Sequence, residues 1–418
     1  MCKGYIQMRK QLRSLIFPIF PIICTGLLLF PPIASAATWI NWPVKFAAKH
    51  AQAEDGELIL VLKSAPDAAG FSELRIRSPQ WADALFRCEG QQVADLPKDL
   101  DVTVVAKQAS RVRILVADSS GRVYDPAAHI QLLLPDKLAE LLSRLSRSLR
   151  FQHYGALVPW DEASRLVPRM AKTEVMDVLT GLTFSAQRRA GSSHADFQPL
   201  TKEDTDTMRQ IYTQGWSWDR RAVLVKAPDG GWLAASMNGM PHGGDGIPEN
   251  GFSGHFCIHF YQSKTHGSDQ VDLMHQAMVF RAAGKLPEYV RTLEPLKLAE
   301  LYVAGLHQRD LGLMMQLLPA EDGKPVHPFA KQWDQLTDVR LLRKPAMAKS
   351  DSVTSPEGDE QAAPLRTTIT LQLAVTWNGS RTADNERLMM ICERRSPDDP
   401  WEITKISEVS QDAREAVN

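Results

Sequence analysis

Charge of one sign is the first thing this chain lacks. Its 48 lysines and arginines are balanced by 49 aspartates and glutamates, a formal net charge of −1. No global basic field therefore exists to neutralise nucleic-acid phosphates, and no nucleic-acid partner is expected. Internal repeats, heptads and a glycine-rich nucleotide-binding pattern are also missing, as are His-Glu-x-x-His and paired Cys-x-x-Cys, the metal signatures with the strongest spacing. Cysteine is scarce, with five in 418 residues.

The five cysteines acquire meaning from the N-terminus. Lys3, Arg9, Lys10 and Arg13 precede an apolar run over residues 14–32, and Ala34-Ser35-Ala36 follows as a stretch of small residues. This order predicts a signal peptide over residues 1–36, cut near Ala36 or Ala37. Pro18, Pro21, Pro31 and Pro32 suit a processed segment better than a permanent helical anchor. The expectation is a secreted, extracytoplasmic or wall-associated protein with no membrane contact beyond the export signal. Processing removes Cys2 and Cys24 and leaves Cys88, Cys257 and Cys392, an odd number, so at least one thiol is unpaired. Pairing of Cys88 with Cys392 and three free thiols are both compatible with that count.

At this length two or three domains are expected, and 44% hydrophobic with 23% charged residues is ordinary for a soluble globular chain. Residues 37–134 read as a β-rich domain, with apolar runs at 58–62, 102–105 and 112–116. A helix from about Asp136 to Leu149, striped by Leu138, Leu141, Leu142, Leu145 and Leu149, predicts a helical linker over 135–165. Residues 166–286 read as a mainly β catalytic domain. It has hairpins at 173–186 and 222–236, a helix at 204–212 capped near Thr201, and a strand carrying His255, Cys257 and His259. Residues 287–418 read as an α+β domain: a helical stretch at 296–318 with breaks at Gly305 and Gly312, a mobile polar loop at 349–364, and strands at 369–377, 388–393 and 401–406. A helix pair followed by a curved antiparallel sheet suggests a cone-like accessory shape.

Six of the eleven histidines fall in one stretch: His194, His242, His255, His259, His266 and His275. In an extended strand His255, Cys257 and His259 share one face, which puts a thiol between two imidazoles. A cysteine is nucleophilic as the thiolate, and a neighbouring histidine is a common activator. The same residue types are also zinc ligands, with His194, His242 or Asp196 able to complete a tetrahedron. Trp216 and Trp218, with Arg220 and Arg221 behind them, suit either a glycan- or peptide-binding groove or a packed core. His194 with Asp196 suits a braced turn, and His266 and His275 are expected to be structural or exposed.

His242-Gly243 followed by Ser253, His255 and Cys257 resembles the bipartite signature of L,D-transpeptidases, which cross-link peptidoglycan. That signature is His-Gly, a spacer, then Ser/Thr-His-Gly-Cys, a hydrophobic residue and usually Arg. The likeness covers residues 224–260. Gly254 intervenes between Ser253 and His255, Phe256 stands where the family has glycine, and His259 stands where it has arginine. The resemblance implies a β-sandwich catalytic domain without cofactor or metal, acting on peptidoglycan stem peptides by transfer or by carboxypeptidase hydrolysis. It implies Cys257 as nucleophile, His255 as its base, His242 and Gly243 as shapers of the pocket, and His259 in an orienting role. Ser253, Gly243, Trp216 and Trp218 become the candidate substrate-binding residues, and the family's acylation by carbapenems becomes an expected property. A zinc-dependent peptidoglycan hydrolase and a non-catalytic wall-binding protein remain as alternatives.

Overall fold

A computed structural model describes residues 54–94, 96–244, 246–267, 269–321, 324–347 and 364–409. The signal peptide and nearly all of the polar loop expected at 349–364 lie outside the described residues. Among these residues no helix is long and apolar enough to cross a membrane. The protein is mainly β, with helices packed on its sheets.

Seven strands form the first sheet: β1 (Glu57–Leu62), β2 (Ser72–Arg77), β3 (Gly90–Gln92), β4 (Val102–Gln108), β5 (Arg111–Ala117), β6 (Val123–Asp125) and β7 (Ile130–Leu132). Their order is β2-β1-β4-β5-β6-β7-β3. β1 is buried along its whole length, as an unbroken apolar run in a central strand should be. Leu58, Leu60 and Leu62 pack with Ala82 and Leu85 of α1 (Pro79–Arg87) and with Leu138, Leu142 and Leu149 of α2 (Asp136–His153). The segment expected as a linker helix is thus part of this core, because its leucine stripe is buried against the sheet.

The chain leaves α2 at Tyr154, donates from Gly155 N to Ala282 O, and runs through α3 (Trp160–Leu166) into the central region. There β8 (Lys172–Asp177), β9 (Thr183–Ala190), β10 (Ala195–Pro199), β11 (Arg221–Lys226), β12 (Trp232–Met237) and β13 (Phe256–His259) close into one antiparallel barrel, in the order β10-β13-β12-β11-β8-β9. The sequence led to a sandwich here. Alternating patterns serve either architecture, and closure depends on β10 pairing with both β9 and β13, with a register shift at Asp196/Phe197 that bends the strand. Phe184, Ala186, Ala195, Phe197, Val223, Val225, Ala235, Phe256 and Ile258 fill the interior. α4 (Lys202–Ile211) starts at a capping box between Thr201 and Asp204.

On the outer wall, Ala222, Leu224 and Ala234 pack into a second cluster with Ala277 and Met278 of α5 (Leu273–Ala282) and with α6 (Leu286–Val290), α7 (Pro295–His307) and α8 (Leu311–Leu317). That cluster continues into the C-terminal sheet β14 (Leu336–Leu341), β15 (Arg366–Trp377), β16 (Asp384–Glu393) and β17 (Glu402–Glu408), paired in that order. Ile369, Leu371, Leu373 and Val375 are buried at every second position, as expected. Gly305 and Gly312 are not helix breaks. Each lies inside a helix where a Cβ would press on a neighbour, Met314 Sδ at 3.1 Å and Ala65 Cβ at 2.7 Å respectively. The chain turns between them, where Asp310 caps α8 by accepting from Leu313 N. Cys88, Cys257 and Cys392 are all free thiols, so Cys88 and Cys392 do not pair.

Candidate active site

The side chains of β13 divide by alternation. Phe256 and Ile258 enter the barrel core, while Cys257 and His259 project from the outer wall, where both are nonetheless buried. The neighbouring strand β10 is split the same way: Ala195 and Phe197 point in, and Asp196 is the Cα partner of Cys257. On the other side Asn238 N donates to Cys257 O, just past the end of β12. A carboxylate, a thiol and an amide are therefore lined up across three adjacent segments.

Two histidines close the row. His242 and His255 form an isolated antiparallel bridge, His242 N to His255 O at 3.0 Å and His255 N to His242 O at 2.7 Å, which sets their rings 4.3 Å apart. Glycine is required on both sides of this bridge. Gly243 has φ +72° and a Cβ there would lie 2.4 Å from His255 Cε1; Gly254 has φ +87° and its Cβ would lie 2.2 Å from His242 O.

His242 Nδ1 is 2.9 Å from Met240 O and so donates to it. The free Nε2 then faces Cys257 Sγ at 3.3 Å. Thiol, imidazole and a backbone acceptor that orients the imidazole are thus in sequence, the order a cysteine nucleophile and its base would need. The histidine expected to serve as base is placed differently: His255 Nε2 lies 3.8 Å from Asp196 Oδ1 and lacks a hydrogen-bond partner among the described residues. Burial, with the Asp196 charge added to it, pushes the Cys257 thiol up to about 12, and a hydrogen bond from Asn238 only partly offsets this. The resting sulfur is a thiol, so reaction requires a base at the moment of attack.

A second set of groups surrounds Asp196. His266 Nε2 is 3.2 Å from Asp196 Oδ1 and His194 Nε2 is 3.4 Å from it. His194 Nδ1 is 2.7 Å from Lys264 O and donates to it. Burial works against the Asp196 carboxylate, yet the flanking imidazoles, His194 and then His255, hold it below the ordinary carboxylate range. Ligand atoms of His194, Asp196, Cys257 and His266 all lie within 4.8 Å of one another, and so do those of His242, His255 and Cys257.

His259 touches neither Cys257 nor His242. It stacks between His194 at 4.4 Å and His275 at 3.8 Å, with Nδ1 3.0 Å from Ser263 Oγ. Burial first, then the neighbouring His275 and His194, drive it well below the ordinary imidazole range. His275 is anchored through Nδ1 to Ser236 Oγ at 2.9 Å. The six clustered histidines therefore form one continuous column, and His259 and His275 are its buried base.

Of the candidate binding residues, Trp218 is half-exposed with its ring 5.1 Å from that of His242, and Ser253 is exposed two residues before His255. Trp216 instead packs with Tyr212 and Phe252 at the edge of the barrel core. Sequence reasoning assigned Asn238 no role in the site, and it read His194 with Asp196 as a braced turn or as completing ligands of a zinc site. The signal for Asp196 was its alternation with Ala195 and Phe197, which puts it on a face of its own. For Asn238 there was no local signal. Compared with known proteins, the chain matches no family model, no curated protein and no solved structure.

Proposed function

We propose that this chain is a cysteine acyl transferase of the L,D-transpeptidase type that acts outside the cytoplasm on peptidoglycan stem peptides. The observation that carries the reading is the approach of Cys257 Sγ to His242 Nε2 at 3.3 Å, with His242 Nδ1 tied to Met240 O. The peptidoglycan substrate rests on the resemblance of residues 224–260 to that family, and export rests on the N-terminal pattern of residues 1–36. In this reading the barrel is the catalytic domain that takes the place of the family's sandwich, and the N-terminal and C-terminal layers flank it.

In the first half-reaction Sγ attacks the carbonyl between the third and fourth stem residues, and its proton passes to His242 Nε2 as the S–C bond forms. The Asn238 amide, already beside the sulfur, donates to the oxygen that gains negative charge. The tetrahedral centre collapses, the C–N bond breaks, and His242 returns the proton to the departing D-alanine amine. An acceptor amine or water then attacks the thioester carbonyl, His242 takes its proton, and the C–S bond breaks as that proton returns to the departing sulfur. Trp218 and Ser253, both exposed, contact the incoming peptide.

The test is the intact mass of the mature protein after incubation with a carbapenem. A single adduct on Cys257, absent in Cys257→Ser, is expected. An unmodified thiol in protein that reacts normally with a small alkylating agent would overturn the reading.

A further inference from the structure

His194 is the most deeply buried of the ligand-type residues grouped around Asp196. Its Nδ1–H is committed to Lys264 O, which leaves Nε2 to face Asp196 Oδ1 at 3.4 Å. The residue is 1% exposed and this nitrogen has no hydrogen-bond partner among the described residues. A buried nitrogen without a partner is costly, and a cation held between it and the carboxylate would satisfy both.

The spacing is that of ligands around one small cation. Bonds of about 2.0–2.3 Å to N, O and S at tetrahedral angles separate neighbouring ligand atoms by about 3.3–3.6 Å. Asp196 Oδ1 is 3.4 Å from His194 Nε2 and 3.2 Å from His266 Nε2, and Cys257 Sγ lies in the same group. The hydrogen bond from His194 Nδ1 to a backbone carbonyl is the usual outer partner of a metal-bound imidazole. Stacking against His259, itself held by Ser263, fixes the ring plane.

The geometry points to a zinc-class divalent cation site formed by His194, Asp196, His266 and Cys257. Two imidazoles, a carboxylate and a thiolate suit Zn²⁺ and complete a tetrahedron. Four protein ligands leave no position for a water, so this is not a hydrolytic centre. Binding takes Sγ as a thiolate, releases its proton to solvent and withdraws the sulfur from His242. The ion therefore holds the site closed until it is removed. That regulatory meaning rests on the acyl-transfer reading; the existence of the site does not.

The experiment uses the metal-free mature protein with CoCl₂ and ZnCl₂. One equivalent of Co²⁺ should give a thiolate-to-cobalt charge-transfer band that vanishes in Cys257→Ser. One equivalent of Zn²⁺ should slow iodoacetamide alkylation of Cys257 at least tenfold. His266 is exposed, so His266→Ala should fold normally and leave the metal-free alkylation rate unchanged, while weakening Zn²⁺ protection at least tenfold. Absence of the band, unchanged alkylation with Zn²⁺, or equal protection in His266→Ala would each overturn the site. A metal-free protein that resists carbapenem yet shows the band and the protection would overturn acyl transfer and leave the metal site standing.

Discussion

His242 and His255 share a two-bond backbone bridge and their rings are 4.3 Å apart, yet of the two only His242 is hydrogen-bonded to the sulfur of Cys257. Backbone pairing brings a ring nitrogen of each imidazole within 4.8 Å of the sulfur, and side-chain anchoring separates their roles: Met240 O holds one tautomer of His242, while His255 turns toward Asp196. His242→Ala should therefore lower the rate of Cys257 acylation by a carbapenem by about 10²–10⁴-fold, the usual contribution of a positioned base. His255→Ala should lower it far less. Equal losses in the two variants would remove the distinction drawn between them.

Asn238→Ala addresses the oxyanion. Loss of one preorganised donor typically costs about 10²–10³ in kcat. The variant should show that loss in acylation with a much smaller fall in iodoacetamide alkylation, because Asn238 also donates to the sulfur. A parallel fall in both would mean that Asn238 supports the sulfur rather than the transition state.

Gly254→Ala is expected to break the bridge itself. The residue would be held at φ +87° with its Cβ 2.2 Å from a backbone oxygen that cannot rotate away. Destabilisation of more than about 1 kcal/mol in urea titration is the expected outcome, together with lost acylation. An alanine tolerated without cost would show that the bridge is not needed.

Acid should weaken the N-terminal layer through His153. Burial lowers this imidazole from 6.5 to about 4, and Nδ1 lies 2.9 Å from Ser72 Oγ. With the folded value below the unfolded one, the unfolded chain binds more protons between the two. The contribution is thus fully present above about pH 6.5 and is lost as the pH falls through about 4, where it amounts to about 3 kcal/mol. Urea midpoints measured from pH 7 to pH 4 should fall less steeply for His153→Gln than for the wild type. Parallel curves would count against a buried neutral imidazole.

The pair Arg281–Asp310 ties α5 to the start of α8, with Nη1 and Nη2 at 2.6 and 2.8 Å from the two carboxylate oxygens and the arginine 2% exposed. Asp310→Ala leaves that guanidinium buried without its partner and also removes the helix cap. A loss of about 3–5 kcal/mol is expected in equilibrium unfolding. A loss below 1 kcal/mol would mean that water replaces the carboxylate.

Local patterns in the sequence were legible where one periodicity governs. Ile369 to Val375 alternate because one face of β15 is buried, α2 carries its leucine stripe, and Thr201 caps α4 as its position suggested. The clustering of six histidines was visible too, and the structure draws all six into contact. Closure of the barrel was not legible, because it depends on β10 meeting β13 across some sixty residues, and alternation says nothing about partners. For the same reason Asp196 could not be set opposite Cys257 in advance. Gly305 and Gly312 were misread because close helix packing and helix termination both call for glycine.

β13 is four residues long and serves two masters by parity. Phe256 and Ile258 belong to the interior; Cys257 and His259 face the outer wall, and of these two only Cys257 meets His242. On the proposed function a substitution at Phe256 or Ile258 is felt as stability and one at Cys257 as reactivity, so the two properties can drift with little interference. The outer residues of such a strand can be rewritten, and a new reaction reached, on a barrel whose inside never changes.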